Sequence, residues 1–339
     1  MEDYIRYFFN DPEKLIRLAD EKCREVHGDK VYLRGLIEFS NFCSMNCQYC
    51  GIRSANSAVK RYRLTADEII NAVSKGYSKG LKTFVLQSGE DDYYSDDILE
   101  KIIITIKETT EFEAAITLSI GIRSRESYRR LKNAGADRFL MRFETSDAEL
   151  YRKLKNGQSL EKRLSAIRTI KDLGYEAGSG FMTGLPGETI ETIVDNVLLC
   201  KELELDMIGI GPFIPHPETP LGNMLSDNTN NIENNNNNYS AIDIACRAVA
   251  LTRLMLPLAH IPATTAAGSI DKTGREKMLQ AGANVLMPNI TPLEYKGDYL
   301  LYPGKICIDE DFDCCLNCLT ARIVSCNKTI DFSVAGAVR

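Results

Sequence analysis

The chain has 339 residues and 44% apolar content, enough for one large barrel or two ordinary domains. A formal net charge of −6 offers no basic surface for a nucleic acid. No apolar run approaches the about 20 residues that span a bilayer, and the acidic start lacks the basic and apolar segments of a targeting peptide. We therefore expect a cytoplasmic protein with no membrane or nucleic-acid partner.

Short β-rich runs alternate with longer helical runs between residue 33 and about 288. Glycine follows four of the helical runs, as is typical of helix ends. Alternating strands and helices predict an α/β fold, a TIM-type (β/α)8 barrel of the usual length of about 250 residues. An open doubly wound sheet is the alternative. The predicted strands cover 33–40, 83–88, 115–120, 137–143, 175–182, 206–211, 261–265 and 283–287, and the predicted helices 65–79, 96–108, 124–133, 160–173, 190–203, 241–256 and 273–280.

The segments before and after the predicted barrel lack its alternation of strands and helices. Residues 1–32 are expected to form a helical N-terminal cap, residues 33–288 the barrel, and residues 289–339 an irregular, Cys-rich C-terminal tail laid across one barrel end. The Asn-rich stretch 227–238 is of low complexity and predicts a loop inserted after the sixth strand.

Three cysteines directly follow the first predicted strand, with the spacing C-x3-C-x2-C: Cys43, Cys47 and Cys50. Thiolates are the usual ligands of iron–sulfur clusters, and three ligands leave one iron of a cubane open for chemistry. The position fits, because barrel active sites lie at the carboxyl ends of the strands. The alternative is a structural zinc site with a distant fourth ligand, but the chain has only three His.

The fourth predicted strand alternates so that Arg138, Leu140, Arg142 and Glu144 share one face. Buried arginines are costly unless they are paired or bind a ligand. One interpretation is a structural ion-pair layer that includes Glu38. We favour a functional site, because arginine is the natural partner of a substrate carboxylate. The Gly-rich run 178–189 opens a helix and suits a nucleotide or carboxylate, or a plain tight turn.

The triad, with the aromatic Tyr49 before its last cysteine, resembles the signature of the radical S-adenosylmethionine (SAM) superfamily. That resemblance implies a [4Fe-4S] cluster whose open iron chelates SAM, and reductive cleavage of SAM to a 5′-deoxyadenosyl radical. The segment Gln87-Ser88-Gly89-Glu90 is similar to the one that meets the SAM amino group.

Longer segments, among them IEFSNFCSMNCQYCGIR, GADRFLMRFET and DMIGIGPFIPHPETPL, resemble the HydE family of [FeFe]-hydrogenase maturases. The family is thought to process a small cysteine-containing iron carbonyl/cyanide precursor of the hydrogenase diiron site. The resemblance implies companion maturases and an electron donor such as ferredoxin or flavodoxin as partners. It assigns Tyr49, Gln87, Gly89, Glu90, Ser119, Glu144 and Arg163 to SAM, Met207, Thr264 and Thr265 to the cofactor and substrate cavity, and Arg138, Arg142, Tyr299 and Tyr302 to catalysis beside the cluster cysteines.

The tail cysteines Cys307, Cys315 and Cys318 match the accessory [2Fe-2S] or [4Fe-4S] site of part of this family, and adjacent Cys314 leaves open which thiols ligate. A zinc site or an empty thiol cluster is the alternative. Ile122 departs from the family pattern, which has Glu there. Competing functions are 3-methylornithine synthase, biotin synthase, or a non-enzymatic iron–sulfur carrier; a carrier would not need the inward polar face.

Overall fold

The computed structural model describes residues 2–227 and 240–336. Runs of mostly buried residues form the strands of the main sheet. All six residues of the strand before the cysteine triad are buried, for example. The helices are α1 (Glu2–Asn10), α2 (Pro12–His27), α3 (Ala66–Ser78), α4 (Asp96–Thr109), α5 (Arg125–Asn133), α6 (Ala148–Leu154), α7 (Leu160–Asp172), α8 (Ile190–Glu202), α9 (Pro220–Asp227), α10 (Ala241–Met255), α11 (Thr265–Ile270), α12 (Gly274–Gln280), α13 (Leu293–Lys296) and α14 (Phe312–Ser325). The strands are β1 (Lys30–Leu33), β2 (Gly35–Ser40), β3 (Thr83–Ser88), β4 (Ala115–Ser119), β5 (Arg138–Leu140), β6 (Glu176–Thr183), β7 (Met207–Pro212), β8 (Val285–Leu286) and β9 (Thr329–Asp331).

The strands close into a barrel. β2 to β7 form one parallel sheet in sequence order, and β8, β1 and β9 form a second. Single parallel bridges join the two sheets: Met207 to His260, Pro262 to Val285, and Leu36 to Asn289. With β1 and β2 as one interrupted strand, these contacts give eight strand positions. The predicted (β/α)8 barrel is confirmed, and the open sheet is excluded.

The seventh strand position is the least regular. Only His260 and Pro262 form bridges there, and Thr264 already caps the N-terminus of α11. The predicted strand 261–265 is therefore too long, because the Thr264 hydroxyl accepts the N–H of Ala267 and starts a helix. Two threonines are thus placed at the carboxyl end of the barrel.

Helix ends follow the local sequence signals. Thr65 and Glu68 form a capping box at the start of α3. α5 ends before Gly135, whose φ of 116° is accessible to glycine without the strain a Cβ would bring. Glycines with positive φ likewise follow α3, α7 and α12, as predicted: Gly80, Gly174 and Gly282.

The N-terminal residues form two helices, as expected of the cap, and α2 packs against α10. The two are joined where His27 Nε2 lies 3.0 Å from the fully buried Arg253 guanidinium. Arg253 also donates to the carbonyl oxygens of Ala259 and Gly282. Burial and the Arg253 charge lower the pKa of His27 to about 4, so this contact is made by a neutral imidazole.

The C-terminal tail runs along the barrel and contacts both of its ends. Near the carboxyl ends of the strands, Leu301 O accepts a hydrogen bond from Gly51 N at 2.9 Å. Helix α14 then packs on α12, and β9 pairs in parallel with β1 at the amino end of the barrel.

The last described residues close that amino end. Val334 O and Ala335 O accept hydrogen bonds from Arg138 Nη2 at 2.8 and 2.9 Å. Gly336 O lies 3.3 Å from His260 Nε2. The Asn-rich stretch predicted to be a loop lies, apart from Asp227 at its start, outside the described residues. None of the helices described here has the length and apolar character to cross a membrane.

Candidate active site

The loop after β2 carries the cysteine triad and is held by an unusual number of backbone contacts. Asn41, fully buried, donates to Lys60 O and Asp298 O and accepts from Tyr62 N. Arg61 donates to four loop carbonyl oxygens, at distances between 2.5 and 3.1 Å. A loop without regular structure must satisfy its polar groups this way. These contacts give the cysteine loop a defined shape.

The three thiols face one cavity of about 350 Å³ at the carboxyl end of the barrel. Glu90 N lies 3.4 Å from Cys43 Sγ. A Cβ on Gly89 would lie 2.1 Å from Phe42 O, so only glycine lets the end of β3 approach the cysteine loop this closely. Burial and the neighbouring Cys47 thiol raise the pKa of Cys50 to about 12.

A buried polar network lies beside the triad. Tyr49 donates from its hydroxyl to Glu144 Oε1 at 3.1 Å and accepts from Lys155 Nζ at 2.6 Å. Arg142 Nη2 lies 3.1 Å from Glu144 Oε2. Burial alone would raise the pKa of Glu144, but Arg142, Lys155 and the Tyr49 hydroxyl hold it below its ordinary value. Glu144 is thus an anion surrounded by cations and donors.

The adjoining wall carries a second carboxylate, that of Glu90, and a second guanidinium, that of Arg163. Arg163, on α7, lies 3.5 Å from Glu90 Oε1 and donates to the Tyr151 hydroxyl at 3.1 Å. Glu90 lies directly over Gly121: a Cβ there would be 2.0 Å from Glu90 Cγ. The neighbouring Ile122 packs against the apolar core. The acidic group at this wall therefore comes from β3, although the family's Glu is absent from position 122.

Another part of the cavity wall is formed by polar residues of the last strand positions and the tail. Thr264, Thr265, Tyr299 and Tyr302 all line the cavity, as does Ser119 from β4. Tyr299 accepts a hydrogen bond from Gln87 Nε2 at 3.2 Å.

An ion pair forms part of this wall. Lys305 Nζ lies 2.6 and 2.7 Å from the two carboxylate oxygens of Glu38. Asn289 Nδ2 donates to Glu38 Oε2 at 2.8 Å. The carboxylate that the sequence grouped with Arg138 is thus neutralised by the tail.

Two of the predicted residues do not line the cavity. Arg138 shares the face of Arg142 but lies four residues earlier, about 13 Å along a strand. It is 1% exposed and bonds to Glu176 Oε2 at 2.6 Å. Met207 Sδ accepts a hydrogen bond from Arg34 Nη1 at 2.9 Å and is the first residue of β7. The assignments of Arg138 to substrate and of Met207 to the cavity are therefore corrected: both belong to the amino-terminal half of the barrel interior.

Two of the tail cysteines, Cys307 and Cys315, are part of the cavity lining. With Glu310 they form, among the described residues, a group whose ligand atoms all lie within 4.8 Å of one another. Cys318 is outside that group, and its Sγ lies 3.4 Å from Arg322 Nε. Cys314 is exposed. Of the two candidates, the structure thus brings Cys315 into the cavity wall.

Sequence reasoning missed three cations of the cavity: Lys155, Arg275 and Lys305. Lys155 directly follows the short helix α6, and nothing in the local sequence distinguishes it from Lys153. The side chain of Lys153 is 65% exposed and is paired with Glu149. Lys and Arg on helices usually face solvent. Arg275, on α12, donates to the Thr265 hydroxyl at 3.3 Å. No local pattern distinguishes these residues from surface ones.

The triad fits an iron–sulfur cluster. Its thiols come from one loop, face one cavity and receive donors from Glu90 N and Lys155, which suits thiolate sulfur. A single zinc ion holds its thiolates at about 2.3 Å and so requires a closer group. Within the described part of the chain such a group includes Cys307 and Cys315, not the triad.

A closed parallel barrel with three thiols on the loop after its first strand is the architecture of a known enzyme class. Residues 37–200 match the sequence profile of the Radical SAM superfamily. The crystal structure of methylornithine synthase (PylB) aligns with a TM-score of 0.78 and 27% identity, covering 94% of this chain and 89% of that chain. The protein is a radical SAM enzyme, a class whose cofactors are a [4Fe-4S] cluster and SAM.

Sequence relatives narrow the class. The [FeFe] hydrogenase maturase subunit HydE of Thermotoga maritima is 48% identical over 311 residues, which cover 92% of this chain and 85% of HydE. The 3-methylornithine synthase of Methanosarcina acetivorans is 30% identical over 290 residues, covering 85% of this chain and 78% of that enzyme. The chain belongs to the HydE family of radical SAM enzymes.

Proposed function

We propose that Cys43, Cys47 and Cys50 hold the [4Fe-4S] cluster and that the enzyme acts in maturation of the [FeFe]-hydrogenase diiron site. Its substrate is a small iron carbonyl/cyanide unit bound to cysteine. The observation that carries this proposal is one cavity lined both by the three thiols and by Thr264, Thr265 and Tyr302. The identity to HydE supports a role in [FeFe]-hydrogenase maturation.

The wall near the triad is assigned to SAM. When bound, the cluster supplies the electron that cleaves SAM to methionine and a 5′-deoxyadenosyl radical. Glu144 and Glu90 offer carboxylates to the cationic and hydroxyl groups of SAM, and Arg163 offers a guanidinium to its carboxylate. Because Tyr49, Lys155 and Arg142 fix Glu144, the cofactor meets an acceptor of fixed orientation.

The remaining part of the cavity lining is assigned to the substrate. Arg142 Nε and Arg275 Nε are buried and have no hydrogen-bond partner within the described residues. Leaving such donors unpaired is costly, and a ligand carboxylate compensates that cost. The Thr264 and Thr265 hydroxyls and the Tyr302 phenol supply further polar contacts. A small anionic amino acid derivative suits this set of groups.

The partners follow from the same proposal. Companion maturases supply the substrate and accept the product, and a ferredoxin or flavodoxin supplies electrons. An accessory cluster at the tail is supported by Cys307 and Cys315, with Glu310 as the third close donor.

The test is anaerobic reconstitution, followed by incubation with SAM and dithionite. Wild type is expected to form 5′-deoxyadenosine, and the variant C43A/C47A/C50A to form none, because a cubane needs its thiolates. Formation of 5′-deoxyadenosine by the triple variant would contradict the cluster assignment. Addition of a cysteine-bound iron carbonyl/cyanide complex is expected to increase turnover.

The structural match to methylornithine synthase makes a lysine mutase the second candidate. Addition of L-lysine in the same assay separates the two. Formation of 3-methylornithine, with no response to the iron complex, would replace the maturation proposal.

A further inference from the structure

Lys155 is a buried cation beside the cysteine triad. It follows α6 directly, and its side chain is 7% exposed. Burying an ammonium is costly unless its protons find partners. Three acceptors surround Nζ: the Tyr49 hydroxyl at 2.6 Å, Cys47 Sγ at 3.7 Å and Glu144 Oε1 at 3.8 Å.

The charge of the Glu144 carboxylate alone does not explain why Lys155 is buried here. Glu144 already has Arg142 at 3.1 Å and the Tyr49 hydroxyl at 3.1 Å. Cys43, by comparison, is contacted by the backbone donors of Glu90 and Met45, which are neutral. Lys155 thus brings a full positive charge against one particular sulfur of the triad, Cys47.

We propose that Lys155 is a positioning residue that sets the reduction potential of the cluster through its hydrogen bond to Cys47 Sγ. Hydrogen bonds to the sulfurs and nearby charge are known determinants of cluster potentials. Reduction adds a negative charge, and a cation beside the sulfur stabilises the reduced state more than the oxidised state. Lys155 therefore raises the potential. The inference rests on the proposed ligation by the triad, but not on the identity of the substrate.

The test is a redox titration of the reconstituted holoprotein without SAM, followed by electron paramagnetic resonance of the reduced cluster. In Lys155→Met the ratio of reduced to oxidised cluster is expected to fall at least tenfold at the wild-type midpoint, a shift of about 59 mV for one electron. Lys155→Arg keeps the charge and is expected to stay near wild type. Lys153→Met is the matched control: the same substitution two residues away, at an exposed lysine, is expected to leave the midpoint unchanged.

An unchanged midpoint in a fully loaded Lys155→Met protein would overturn the inference, as would an equal shift in Lys153→Met. If Lys155→Met loads no cluster, Lys155→Gln repeats the measurement. If both neutral variants fail where Lys155→Arg loads normally, Lys155 is required for assembly and the tuning role is wrong. Failure of the ligation itself is distinguishable when the tail thiols are also replaced (C307S/C315S/C318S), which removes the accessory site. In that background the C43A/C47A/C50A protein would still carry a reducible cluster only if the triad is not the ligand set.

Discussion

Arg138 and Arg142 lie on the same face of one strand and have opposite surroundings. Arg138 is enclosed by Glu176 and by the carbonyl oxygens of Val334 and Ala335. Arg142 lines the cavity, and its buried Nε has no hydrogen-bond partner within the described residues. Position along the strand, not side-chain type, decides which arginine is available to a ligand.

Replacing these arginines by Gln is expected to separate stability from binding. Arg138→Gln leaves Glu176 without its buried partner and is expected to lower the free energy of unfolding by about 3–5 kcal/mol. Arg142→Gln is expected to change stability by less than about 1 kcal/mol, because Glu144 keeps Lys155 and Tyr49. Substrate affinity is expected to fall only in Arg142→Gln. Urea unfolding and substrate binding check both variants; equal stability losses would contradict this distinction.

At the scale of elements, the turn from β6 to α8 is organised by one carboxylate. Glu188 Oε2 accepts from Gly184 N at 2.7 Å and Leu185 N at 3.3 Å, and Asn196 Nδ2 lies 3.4 Å from Oε1. Burial raises the pKa of Glu188 from 4.5 to about 7 in spite of these donors. The first half of the Gly-rich run is thus part of β6, and residues 184–189 form a tight turn closed by a titrating group.

The raised pKa predicts a stability that depends on pH. The folded state binds the Glu188 proton more tightly than the unfolded state, so its contribution is present below pH 4.5 and is lost as pH rises through about 7. Relative to Glu188→Gln, wild type is expected to lose about 1–3 kcal/mol between pH 4.5 and 8. Taking the difference between the two proteins cancels the titration of His27 and His260. A pH-independent difference in urea unfolding would show that Glu188 is not desolvated.

The alternation of β-rich and helical runs, with glycines at the helix ends, predicted most of the secondary-structure elements. This succeeded because strand burial and helix ends depend on local sequence. The strand 83–88 and the helix start at Asp96 agree with the structure to the residue. The depth of Arg138, the burial of Lys155 and the contact of Lys305 with Glu38 were not predictable in this way. Each depends on a partner distant in sequence: Glu176 and Val334, Cys47, and Glu38.

At the scale of the whole molecule, the tail completes the barrel. Strand β9 and residues 333–336 cover the amino end of the barrel interior, where Arg138 and His260 lie. Removal of the tail beyond Lys328 exposes these groups and deletes their hydrogen bonds. We therefore expect the tail to be part of the folded core and not an appendage.

A chain that ends at Lys328 is expected to lose at least about 3 kcal/mol of unfolding free energy. Arg138→Gln is expected to cost much less in that shortened chain than in the full chain, because the two changes remove shared contacts. A double-mutant cycle by urea unfolding measures this coupling. Additive losses would mean that Arg138 and the tail stabilise the barrel independently.

The cysteine loop also fixes an order of events during biosynthesis. Asn41 and Gly51, on either side of the triad, are held by the carbonyl oxygens of Asp298 and Leu301, about 250 residues later in the chain. Synthesis proceeds from the N-terminus at about 5–20 residues per second. The thiols therefore leave the ribosome well before the residues that seat them. Iron insertion into a correctly shaped loop is a post-translational event, and until then the nascent thiols depend on the reducing conditions around them.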